Sequence, residues 1–124
     1  MITNYEELKR LIKETYEKTS MFIDSYGVLI VKKSKNVQVT FEFRDFIDWK
    51  SETKLDCLHE MYVGHKCLTF GFWNGNEQSG GGYMEVCDSR DLSNEIIDYI
   101  DKHLALPKIV RHGYVQLSLF GGTL

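Results

Sequence analysis

Cys57, His59, His65 and Cys67 form a near-symmetric run of thiols and imidazoles, the ligand types that hold zinc at about 2.0 to 2.3 Å. Whether they converge depends on strand register. With Gly64 and His65 as a two-residue turn joining Leu58 to Val63 with Lys66 to Trp73, Val63 pairs with Lys66 and Met61 with Leu68. Cys57 and His59 then share one face while Cys67 points to the other, so the expectation is ordinary strand cysteines and no metal. Asp48 and Lys50 match the D-x-K half of a metal-dependent nuclease core, in which a carboxylate holds magnesium and a lysine stabilises the attacking water or phosphate. The second acid of such a core belongs on a preceding strand, and the nearest earlier carboxylate, Glu42, lies on the same strand. Ser79, Gly80, Gly81 and Gly82 offer closely spaced backbone N–H groups of the kind that cradle phosphate, but no lysine and helix follow them directly. His112 beside Arg111, and His103 beside Lys102, have no acidic or nucleophilic neighbour at a telling spacing, so no catalytic residue is assigned. Arg90, at a helix start, offers a cation for an anion, although Asp88 and Asp91 flank it.

The elements that must position these residues follow from periodicity. Leu8, Ile12, Tyr16, Thr19 and Ile23 recur at three- and four-residue steps, which predicts a helix from Tyr5 onward that Gly27 stops. Its start carries two overlapping capping patterns, Thr3 with Glu6 and Asn4 with Glu7. Val28 to Lys33 and the alternating Val37, Val39, Phe41 and Phe43 predict a hairpin about a polar turn at Ser34 to Asn36. Asn74 to Gly82, without an apolar residue, reads as a long polar loop before a strand at Tyr83 to Asp88. Within it Asn74, Asn76, Glu77 and Gln78 are the candidate contacts for a ligand or partner. A second helix from about Ser89 presents Leu92, Ile96, Tyr99, Ile100 and Leu104, and Pro107 ends it. The resulting expectation is an α+β fold: an antiparallel sheet of about five or six strands with an N-terminal and a C-terminal helix packed on one face. Val37, Val39, Phe41 and Phe43 are expected to pack against Leu8, Ile12, Ile96 and Ile100.

With 124 residues the chain has room for one domain, read as residues 1–112 followed by a strand or exposed tail over 113–124. A hydrophobic fraction of 43% against 27% charged residues rules out full-length disorder. A net charge of -3 argues against strong direct nucleic-acid binding. The longest apolar run is Val28 to Val31, and the N-terminus reaches Glu6 and Glu7 without an apolar stretch, so neither a membrane span nor a secretory signal is expected. Cys57, Cys67 and Cys87 are an odd number with no C-x-x-C pair, which fits a reducing compartment and a cytoplasmic location.

Near the C-terminus stand Gln116, Leu117, Ser118, Leu119 and Phe120, bracketed by Gly113 and by Gly121 and Gly122. All five resemble the pentapeptide by which bacterial DNA polymerases, mismatch-repair proteins and other replication factors dock on the beta sliding clamp. The resemblance implies that Gln116 caps the rim of a groove through hydrogen bonds while Leu117, Leu119 and Phe120 fill an apolar cleft. Burying those three side chains is worth roughly 5 to 8 kcal/mol before ordering costs, enough for micromolar binding. The same residues also alternate as one face of a strand, with Val115, Leu117 and Leu119 inward, and both readings stand at this point.

The sequence therefore predicts a non-enzymatic interaction protein of bacterial or phage setting that docks on the sliding clamp through Gln116, Leu117, Leu119 and Phe120. The alternative is a small-ligand or protein-binding module, such as a phage antagonist of host defence, using the 74–82 loop and the exposed sheet face. A small nuclease ranks third. No cofactor is expected, the partner is the clamp or another host protein, and self-association is open.

Overall fold

The computed structural model describes residues 2–45, 66–87 and 90–110. The described residues form an α+β structure of two helices and a five-stranded antiparallel sheet in the order β1-β2-β3-β4-β5. Helix α1 spans Tyr5–Thr15 and strand β1 Ser20–Ile23, followed by β2 (Leu29–Lys32), β3 (Val37–Asp45), β4 (Lys66–Asn74), β5 (Glu77–Val86) and helix α2 (Ser93–Leu104).

Of the two overlapping capping patterns, α1 uses the second. Asn4 is the N-cap and its side chain accepts from the Glu7 backbone N–H at 2.9 Å. Glu7 in turn accepts from the Thr3 backbone N–H and hydroxyl at 2.9 and 2.7 Å. The helix ends at Thr15, not at Gly27. The Thr15 hydroxyl bonds back to the Leu11 carbonyl at 2.7 Å, and Tyr16 is already extended. Met21, Phe22 and Ile23 leave the helical pattern to pair with Val31, Ile30 and Leu29. Gly27, at φ 82, serves the β1–β2 turn instead, where Gly27 N–H donates to Asp24 O and Asp24 N–H to Val28 O. This is a three-residue hairpin loop with a glycine bulge, and Asp24 Oδ1 holds it by accepting from the backbones of Tyr26 and Val28.

Strand β4 corrects a second expectation. Residues 66–74 pair with β3 on one side and β5 on the other, so neither edge is open to Leu58 to Val63. The expected turn at Gly64 and His65, its partner run Leu58 to Val63 and Cys57 lie outside the described residues. The long loop over Asn74 to Gly82 is also absent. Asn74 and Glu77 face one another across a two-residue turn of Gly75 and Asn76, with Gly75 at φ 67, the position at which such turns require glycine. Glu77 to Gly82 belong to β5. Helix α2 starts at Ser93, later than Ser89, where Asp91 Oδ1 accepts from the Ser93 backbone and hydroxyl at 3.0 and 2.6 Å. It closes at Ala105, whose φ of 49 is left-handed.

The core is one cluster. Leu8 and Ile12 of α1 and Ile96, Ile100 and Leu104 of α2 are buried together with Leu29, Val31, Val39, Phe41 and Leu68 of the sheet. Val37 and Phe43 are partly buried against the same cluster. Each fully buried leucine or isoleucine contributes about 1.5 to 3 kcal/mol, so this cluster is the main force holding helices to strands. Tyr5 adds a polar tie: its hydroxyl donates to Gly27 O at 2.6 Å and accepts from the Phe43 N–H at 3.1 Å, with the two rings edge to face at 4.9 Å.

The possible sixth strand at Tyr114 to Phe120, the domain boundary near 112 and the D-x-K pair at Asp48 and Lys50 lie outside the described residues. So do Cys57, His59 and His65.

Candidate functional site

Because side chains alternate across a strand, burial of Val39 and Phe41 sends Gln38, Thr40, Glu42 and Arg44 to the opposite face of the sheet. Register extends that face into rows. Ile30, Thr40, Gly71 and Gly81 lie side by side on successive strands, followed by Lys32, Gln38, Trp73 and Gln78 in the next row. Glu42, Thr69 and Tyr83 form a third. From these rows Ile30, Thr40, Gly81, Gln38, Trp73, Gln78, Glu42 and Thr69 line a groove of about 910 Å³, to which Asp24 and Val28 contribute from the β1–β2 turn.

Two features shape the groove. Gly81 leaves bare backbone in the groove beside its strand partner Gly71, and the Gln78 amide lies over the pair: a Cβ on Gly71 would stand 2.5 Å from Gln78 Nε2, and one on Gly81 3.0 Å from it. Beside them the Trp73 indole N–H donates to Thr40 Oγ1 at 3.3 Å, and the Thr40 hydroxyl reaches Gly71 O at 3.4 Å. These bonds fix the indole against the strand. A bulge in β5 opposite Gly71 and Trp73 adds one residue there and accommodates the turn back toward Glu77. The groove thus combines an aromatic ring, two side-chain amides, the carboxylates of Asp24 and Glu42, and the Arg44 guanidinium. Such a set offers hydrogen-bonding groups and a ring face on one surface.

Of the four loop residues expected to make contacts, the structure brings only Gln78 into the groove. Asn74, Asn76 and Glu77 stand at the exposed hairpin tip, which Gly75 N–H ties to Asn36 O at 2.7 Å. The sequence reading missed Gln38, Thr40, Glu42 and Trp73 as site residues. Their signal was present in the polar half of the β3 alternation, which marks a second sheet face as clearly as the apolar half marks the core.

Elsewhere the two described candidates, Arg90 and His103, are engaged, while Arg111 and His112 lie outside the described residues. Arg90 is held by Glu95, with Nη2 at 2.6 and 2.7 Å from the two carboxylate oxygens and Nε at 3.2 Å from the nearer one. His103 stacks on Phe72 at 4.6 Å between ring centroids and lies 4.5 Å from the Tyr99 ring. Burial, with Lys102 nearby, pushes its imidazole below the usual value. Among the described residues no three His, Cys, Asp or Glu side chains form a group able to hold a metal, and no helix is long and apolar enough to cross a membrane. Gln116, Leu117, Leu119 and Phe120 lie outside the described residues. No family model, curated protein or solved structure matches the chain.

Proposed function

We propose that the chain is a non-enzymatic interaction protein that docks on the DNA sliding clamp through Gln116, Leu117, Leu119 and Phe120. The observation that carries this is the agreement of all five positions from Gln116 to Phe120 with the clamp-docking pentapeptide. The two leucines and the phenylalanine supply the apolar anchors and Gln116 the polar one, in a segment flanked by glycines that let the backbone extend into a groove. The test is retention of the full chain on immobilised bacterial sliding clamp and its release by excess free peptide carrying residues 115–121. Failure of the wild-type chain to bind, or binding indifferent to the peptide, overturns the reading.

A second reading rests on the groove. In it both helices cover the apolar sheet face, and the Gln38 to Arg44 face takes a small polar ligand or a partner segment beside Trp73 and over Gly81. This is the antagonist or ligand-binding module, a different class from clamp docking, and the two are compatible in one chain. Its site is the sheet face with Gln78, and not the hairpin tip.

A further inference from the structure

Register puts Trp73 of β4 between Gln38 of β3 and Gln78 of β5, with one side-chain amide on each side of the indole. All three line the groove, where Gln38 and Trp73 are half-buried and Gln78 is exposed. The indole N–H is committed to Thr40 Oγ1 at 3.3 Å, so Trp73 offers the groove its ring and no donor. The Thr40 and Thr69 hydroxyls are committed as donors to Gly71 O at 3.4 Å and Glu42 O at 3.1 Å. Asp24 spends Oδ1 on the backbones of Tyr26 and Val28, and its second oxygen takes no part in that turn. Beside the ring there remain two amides, which both donate and accept, and the carboxylates of Asp24 and Glu42, which accept. The lining charges are of both signs, Asp24 and Glu42 against Arg44, which favours a ligand without a strong charge of its own. Gly80, Gly81 and Gly82 put no side chain on this part of β5, so a ring can come close to the backbone there.

We propose that the groove binds a neutral oligosaccharide of pyranose rings with equatorial hydroxyls, which rests on the reading of this sheet face as a ligand site. Such a ring has an apolar face of axial C–H groups and a rim of hydroxyls, each donor and acceptor at once. Laid on the Trp73 indole, the ring buries its C–H face, and its rim meets the Gln38 amide on one side and the Gln78 amide on the other. An amide presents its N–H and C=O side by side and so bridges two neighbouring hydroxyls. Glu42 lies four residues along β3 from Gln38, about 13 Å at the rise of a strand, which is beyond the rim of a first ring. Its carboxylate and that of Asp24 therefore take hydroxyls of a further ring, and a groove of about 910 Å³ is at the upper end of small-ligand sites. A flat aromatic ligand would also stack on the indole, but it lacks the rim of donors that two carboxylates call for.

The test is an NMR titration of the isotope-labelled full chain with cellotriose, a neutral chain of such rings. Saturable shifts are expected at the Trp73 indole N–H and at the side-chain amides of Gln38 and Gln78. Sorbitol, which carries hydroxyls but no ring face, is expected to leave them in place. Trp73→Ala is expected to abolish saturable binding, and Gln78→Ala to weaken it about two- to tenfold at an unchanged melting temperature. Cellotriose that moves none of these resonances up to its solubility limit, sorbitol that moves them equally, or Gln78→Ala that binds as tightly as the wild type would each overturn the proposal. Gln78→Ala, at an exposed position, and the sorbitol comparison keep the test decisive if Trp73→Ala does not fold. Spermidine and adenosine triphosphate, a cation and an anion, separate the sugar from the groove itself. Shifts with either but not with cellotriose keep the groove as a ligand site and overturn the sugar, while no shift with any of the three overturns both.

Discussion

The Tyr16 hydroxyl donates to Asp101 Oδ1 at 2.7 Å, tying the residue that ends α1 to the last turn of α2. Lys108 Nζ lies 2.7 Å from the other oxygen of the same carboxylate, and the Tyr16 backbone bridges to Lys108. Burial, followed by the Asp101 carboxylate, pushes the Tyr16 phenol far above its ordinary range, so it is a donor at every physiological pH. Tyr16→Phe keeps the ring and removes the bond. It is expected to cost about 1 to 2 kcal/mol, read as a lower urea midpoint with an unchanged slope. An unchanged midpoint would show that the two helix ends are held by packing alone.

His103 gives the fold an acid-side dependence. Its imidazole is pushed below the ordinary 6.5 by burial against Phe72 and Tyr99, so the unfolded chain takes up this proton at higher pH than the folded one. Stability from this group is fully present above 6.5 and declines as pH falls from there toward the folded value. His103→Phe is expected to flatten that part of the curve. A His103 resonance titrating at or above 6.5 by NMR would contradict the assignment.

Gly71 and Gly81 face each other across β4 and β5 but differ in what a side chain meets. At Gly81 the backbone has φ 149 and a Cβ would stand 2.9 Å from the Phe70 carbonyl, which cannot step aside. At Gly71 the nearest obstacle is the free end of Gln78. Gly81→Ala is expected to cost about 1 to 3 kcal/mol, while Gly71→Ala displaces the Gln78 amide at smaller cost. Chemical denaturation of the two variants reads the difference, and equal costs would mean that the Gln78 amide is not free to move.

The helical stripe of Leu8 and Ile12 and that of Ile96, Ile100 and Leu104 were legible in the sequence because each repeats at four residues against one core. The β2–β3 hairpin was legible because Val37, Val39, Phe41 and Phe43 alternate strictly. Strand β1 was not, since Tyr16, Thr19 and Ile23 continue a helical spacing by coincidence, and only pairing with β2 decides between the two periods. The Asn74 to Gly82 segment was read as a loop because a strand without apolar side chains carries no burial signal. Its identity comes from backbone pairing to β4 and from glycines that fit where Cβ atoms do not. The groove was hidden for the same reason, as its floor is made of backbone.

The central claim is tested most directly by measuring sliding-clamp affinity and melting temperature of the full chain alongside its Leu119→Ala, Phe120→Ala double variant. Under clamp docking, the double change removes the apolar anchors, so binding falls below detection while the melting temperature stays within about a degree of the wild type. Loss of several kcal/mol of stability, seen as a melting temperature lower by many degrees in a chain whose wild type does not bind the clamp, would place these side chains in a sheet and contradict the account.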